Sequence, residues 1–266
     1  MSRNIFLSKR AVLFAALLAG AGFLSGCAST PKPQATAYLP VRHTSAISTV
    51  LPAPSGAPHN VYHEVGPSET LWRISTVYSV DMATIMRVNN IKDPKQIKNG
   101  MKLMIPNTRG PRPNIPLYPS TRWTHIAIHH TVTDQGSAYT INGLHQQRGF
   151  ENGMGYHFLI DNGTRGKGLG QIEVGPRWIK QMQGAHTKAG DWNQKAIGIA
   201  VVGNYSETGL PDKMMDSLVF LVVTLKGFYH IPDQNILGHR DVPGAATECP
   251  GKFFPWNDFK RRIRAF

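Results

Sequence analysis

His239 and Cys249 lie ten residues apart, in Gly238-His239-Arg240-Asp241-Val242-Pro243 and Thr247-Glu248-Cys249-Pro250. An imidazole and a thiol are the donors that a borderline-soft divalent cation such as Zn²⁺ favours, but two donors do not make a site. The best source of a third is more than a hundred residues upstream, in Ile126-Ala127-Ile128-His129-His130-Thr131. Two imidazoles and a thiolate leave a tetrahedral ion one open position, the arrangement that catalytic rather than closed structural sites keep. Any one of these histidines alone reads as a polar core residue; together they read as ligands. His129 and His130 compete for the role, because adjacent strand residues point to opposite faces and only one can face a metal.

The elements that must position these donors are α/β in pattern. Ile126–His130 reads as a buried strand, Tyr139–Arg148 as a helix, and Gly155–Ile160 as a strand followed by a hairpin turn at Asp161-Asn162-Gly163-Thr164. Ala196–Gly203 is a continuous β-rich apolar run, as a central strand covered on both faces requires. Pro211–Tyr229 reads as a helix with Leu218, Leu221, Val222 and Leu225 on one stripe, and Pro255–Phe266 as a short helix with a basic polar side. Upstream, Thr108–Ser120 carries four prolines and reads as a stiff linker, residues 108–120. Before it, residues 61–107 hold a strand, two short helices and a closing strand at Lys102–Pro106.

The N-terminus has a different character. Residues 1–26 have a basic start, an apolar core at Ala11–Leu18 and small residues after it, which is an export signal too short to span a bilayer comfortably. Residues 27–60 are rich in Pro, Ala, Ser and Thr and read as a flexible tether. The formal charge of +13 falls to +10 without Arg3, Lys9 and Arg10 of the leader, which suits an anionic polymer. No basic run interleaved with aromatics appears, so nucleic acid is the weakest such partner. The two cysteines, Cys27 and Cys249, sit in settings too different to suggest a disulfide.

Three resemblances sharpen these readings. Leu24-Ser25-Gly26-Cys27 resembles the lipobox of bacterial lipoproteins, which implies lipidation at Cys27 and, with Ala28 and Ser29 following, residence on the periplasmic side of the outer membrane. Glu69-Thr70-Leu71-Trp72-Arg73-Ile74, Asn89-Asn90-Ile91 and Ile97–Pro106 resemble the LysM module, implying a β-α-α-β fold that binds N-acetylglucosamine-containing glycans; Pro67 and Ser68 depart from its usual pattern. Residues 121–256, within an expected catalytic domain of residues 121–266, resemble the zinc amidases of the phage-lysozyme and peptidoglycan-recognition-protein superfamily, the amidase-2 family. The matching pieces are Ile128–Thr131, Gly155–Phe158, Gly184–Thr187, Ile197–Tyr205, Gly238–Val242 and Cys249–Gly251, in the family's order.

That resemblance implies a mixed central β-sheet flanked by helices, one Zn²⁺ held by His129, His239 and Cys249, and hydrolysis of the amide between N-acetylmuramic acid and L-alanine in peptidoglycan. It makes Tyr156 the catalytic tyrosine, able to hydrogen-bond the attacking water or the developing oxyanion, and Thr247 an oxyanion donor. His186 is expected to line the substrate groove and His157 to be structural, while Glu248 is expected to face away. A monomer is expected. The alternative is a recognition protein of the same fold that binds cell wall without cutting it; such members typically lack the cysteine ligand, which is present here. Cytosolic relatives that recycle muropeptides carry aspartate where this chain has Cys249, and have neither export signal nor glycan module.

Overall fold

A computed structural model describes residues 56–266. The expected export signal, Cys27 and all but the end of the expected tether lie outside these residues. The first strand, β1 (His59–Glu64), already takes in the last two residues of the expected tether and pairs antiparallel with β2 (Lys102–Thr108). Between them run α1 (Leu71–Tyr78) and α2 (Met82–Val88), so the β-α-α-β order holds. Thr70 caps α1 by accepting from the Arg73 N–H, and Asp81 caps α2 by accepting from that of Thr84. Leu71, Ile74, Tyr78, Ile85, Leu103 and Ile105 form the small core they enclose. The side-chain amide of Asn89 donates to the Met104 carbonyl and accepts from its N–H, both at 2.8 Å, on the β2 edge facing away from β1.

The larger unit is a five-stranded sheet in the order β5-β4-β6-β3-β7. Its strands are β3 (His125–His130), β4 (Phe158–Asn162), β5 (Leu169–Val174), β6 (Ala196–Val201) and β7 (Ile236–Gly238). β4, β6, β3 and β7 run parallel to one another and β5 is antiparallel to β4, so the sheet is mixed as expected. One face, through Ile126, Ile128, Phe158, Ile160, Ile197 and Ile199, packs on α6 (Asp212–Tyr229) and α7 (Trp256–Arg264). Leu218, Leu221, Val222 and Leu225 of the long helix are all buried there. The other face, with Ala127, His129, Leu159, Gly198 and Ala200, is partly covered by α3 (Ala138–Gln147) and the single turn α5 (Trp192–Lys195), while the single turn α4 (Pro176–Ile179) puts Trp178 into the core of the first face.

Three local readings change. Gly155–His157 is not strand, because the Gly155 N–H is taken by His145 Nδ1 and its carbonyl by the Ala185 N–H. Asp161 and Asn162 belong to β4 rather than to a turn, and Asp161 is fully buried. The basic side of α7 is paired rather than simply solvated: Arg262 reaches Asp216 at 2.6 Å and Asp258 at 2.7 Å.

Candidate metal centre and active site

The three proposed donors meet at the carboxyl ends of the parallel strands. In the β3–β7 register Ile128 stands beside Gly238, which brings the next residues, His129 and His239, together with ring centroids 4.6 Å apart. Strand alternation does the rest. Ile126 and Ile128 face the helical core, so Ala127 and His129 turn to the face where β6 offers Gly198 and Ala200. His130 turns the opposite way and accepts from the Tyr205 N–H at 3.1 Å, so of the two it is His129 that lies with the other donors. Cys249 brings Sγ to 3.7 Å from His129 Nδ1 and accepts from the His130 N–H at 3.4 Å.

One ligand atom from each of His129, His239 and Cys249 lies within 4.8 Å of the others. Tetrahedral zinc with bonds of about 2.0–2.3 Å separates its donors by roughly 3.3–3.8 Å. The donor chemistry and this spacing fit that ion, with only His239 needing to close in. Burial first, then the neighbouring His186 and His239, hold His129 well below its ordinary value, in the neutral form a ligand needs. Burial pushes the Cys249 thiol up to about 12, only partly offset by the His130 N–H, so its thiolate depends on a cation among the donors.

The tautomer of His129 is fixed from behind. The Ala196 carbonyl can only accept, so His186 donates to it through Nε2 at 3.2 Å and accepts through Nδ1 from His129 Nε2 at 3.1 Å. That leaves the lone pair of His129 Nδ1 directed at Cys249. His186 is therefore not a groove residue. It is buried, both of its nitrogens are engaged, and it is slotted between two glycines: a Cβ on Gly184 or on Gly198 would come within 2.3 Å of its ring. Burial lowers its pKa to about 4, so it stays neutral. Asn193 holds its segment in place, accepting from the His186 and Thr187 N–H groups and donating to the Thr187 carbonyl.

Tyr156 lies against the donors, its ring 5.2 Å from that of His129. Burial, and then Cys249, raise its phenol above the usual range, which keeps it protonated and able to donate. Thr247 is exposed; its Oγ1 accepts from the Cys249 N–H at 3.2 Å, leaving the hydroxyl proton free for another acceptor. Glu248 is exposed. His157 is structural in its bonding, donating to the Met182 carbonyl and accepting from the Gly198 N–H. His145 went unread in the sequence. It packs 5.4 Å from the Tyr156 ring and accepts from the Gly155 N–H, and it continues the buried stripe of α3 through Ala138, Ile141 and Asn142. A histidine at the end of an inward stripe was the available signal.

Residues 119–252 match the family model described as N-acetylmuramoyl-L-alanine amidase, and residues 63–106 match the LysM domain. Peptidoglycan-recognition protein SC2 of Drosophila melanogaster is 31% identical over 146 residues, covering 52% of this chain and 72% of that protein. Peptidoglycan-recognition protein 2 of Holotrichia diomphalia is 34% identical over 152 residues, covering 52% and 74%. Among solved structures, the N-acetylmuramoyl-L-alanine amidase LysC from Clostridium intestinale URNW is 34% identical, covers 55% of this chain and 89% of its own, and superposes with a TM-score of 0.45. With half its length matched to one family model and a LysM domain ahead of that match, the chain belongs to the amidase-2 family.

Proposed function

We propose that this chain is a zinc-dependent hydrolase of the amide between N-acetylmuramic acid and L-alanine in peptidoglycan. The observation that carries the reading is the convergence of His129, His239 and Cys249 within 4.8 Å, inside an amidase-family chain. Bound there, Zn²⁺ would acidify water and polarise an amide carbonyl, worth several kcal/mol of barrier. The chain's own groups supply the rest. His186 keeps His129 in the coordinating tautomer. Tyr156, protonated beside the donors, donates to the oxyanion that develops as the carbonyl is attacked, and Thr247 offers a second hydroxyl from the same loop as Cys249. All three donors come from one chain, so a monomer suffices.

The LysM domain is assigned to the glycan of the same polymer. We place the protein on the periplasmic side of the outer membrane, anchored by acyl chains on Cys27. Cys27→Ala should shift it from the membrane fraction to the soluble periplasm; retention in the membrane fraction would refute the anchor.

A second reading has a specific basis: the relatives at 31% and 34% identity are named as recognition proteins. Release of stem peptides from purified sacculi decides between them. The amidase reading expects release that is abolished by EDTA and by Cys249→Ala. Release undiminished in both sinks the metal mechanism, and sacculus binding without release under any metal condition establishes the recognition protein.

A further inference from the structure

The amidase domain and the LysM domain share a buried polar cluster remote from the metal donors. At its centre is Lys167, whose side chain is 0% exposed. Its ammonium lies 2.6 Å from Glu173 Oε2 in the amidase sheet and donates to the Glu64 carbonyl of β1 at 2.7 Å. Ser137, the N-cap of α3, donates to the Glu64 carboxylate at 2.8 Å, and the other oxygen of Glu173 accepts from the Ala138 N–H. On the module's side, Glu69 accepts from the Gly66 N–H at 2.7 Å and meets His63 Nε2 at 2.8 Å, while His63 Nδ1 meets the Tyr78 hydroxyl at 3.1 Å.

Close backbone approach accompanies the charge. The Tyr139 ring of α3 lies so near Gly100 that a Cβ there would come within 2.6 Å of it, and a Cβ on Gly66 would come within 3.5 Å of Glu173. The proline-rich segment, expected to act as a linker, is stapled to both sides. Arg112 N–H donates to the Val77 carbonyl and Arg73 to that of Asn114, each at 2.7 Å. Two residues on, Pro116 accepts from the Trp178 indole, and Ile115 is in the amidase core.

We propose that Lys167 clamps the LysM domain to the amidase domain, so that the two move as one body and a glycan strand held by the module reaches the metal donors at a fixed offset. A buried ammonium is costly unless paired, and each partner here comes from a different domain, so separation would strand Lys167 beside Glu173 without the Glu64 carbonyl and without the cover of the module. The offset is short, because α3 starts from its N-cap Ser137 and Tyr139 at the junction and brings His145 beside Tyr156 about 9–12 Å further along the helix. That consequence for cleavage rests on the function proposed above; the clamp does not.

Calorimetry and trypsin digestion of the purified full chain test it. Wild type should unfold both domains in one transition and resist cutting after the exposed Arg109. Lys167→Met should split the transition and raise the cutting rate at least tenfold. Should Lys167→Met fail to fold, Tyr139→Ala, which removes the ring packed against Gly100, should raise cutting several-fold. Two separate transitions in wild type, or equal cutting in wild type and Tyr139→Ala, overturn the clamp. A single wild-type transition with protected Arg109, in a protein that releases no peptide from sacculi, would support the clamp while sinking the amidase reading.

Discussion

The molecule buries two clusters of titratable groups, and they solve the problem of burial in opposite ways. The junction carries its own cation: Lys167 sits between Glu173 and the backbone of Glu64, with Glu69 and His63 paired beside it. The cluster of His129, His239 and Cys249 is assembled from groups that burial holds neutral, arranged to take a cation from solution. Shifted pKa values alone would flag both places as functional. What separates them is where the countercharge comes from. The first is a finished structural contact and the second is a candidate binding site.

The sharpest way to break that contrast is to remove the key residue of each. Cys249→Ala should lower peptide release about a thousandfold or more, an effect of roughly 4 kcal/mol on the barrier, with unfolding in denaturant little changed for the metal-free protein. Lys167→Met should do the reverse in kind, costing about 3–5 kcal/mol of stability because it strands buried carboxylates. If Cys249→Ala destabilises the metal-free chain as much as Lys167→Met does, the distinction fails. A subtler change tests the support of the donors: His186→Phe should weaken zinc affinity about 10–100-fold in a competition with a chelator.

The smallest effect concerns acid. Burial pushes the Glu69 carboxyl up, but His63, then the Lys167 ammonium and the Gly66 N–H, outweigh it and hold Glu69 at about 2, against an ordinary value of 4.5. A depressed folded-state pKa gives stability that is present above the unfolded value and is lost as pH falls from there towards 2. Asp161, raised by burial and then by Glu173, acts in the opposite sense, its stabilising contribution fading as pH rises above its unfolded value. The difference between wild type and Glu69→Gln therefore isolates Glu69. Denaturant midpoints should converge between pH 4.5 and 2; a constant gap would remove Glu69 from the acid limb.

Much of this was legible because single residues obey one rule at a time. The β-branched runs of β3 and β6 announce buried strands, and alternation along β3 separates His129 from His130 once the core face is known. β5 was missed, since Leu169–Val174 interleaves glycine, glutamine and glutamate and its glutamate is buried against Lys167 and the Ala138 N–H, both from outside the strand. Asp161 looked like a turn residue for the same reason: what permits its burial is supplied from outside its own segment. His186 was misplaced because Gly184–Thr187 carries no local sign of which side of the sheet it approaches. The slot that receives it is made partly by Gly198, on another strand.

The Asn89 side chain bonded to both polar groups of Met104 has one more consequence. A two-stranded ribbon offers two open edges, and an open edge recruits strands from neighbouring molecules. Here the amide of Asn89 occupies the outward backbone groups of Met104 on one edge, and Lys167 takes the Glu64 carbonyl near the other. The small domain is thus guarded against edge-to-edge aggregation by one asparagine and one lysine, and crowding many copies together should not make them polymerise through this ribbon.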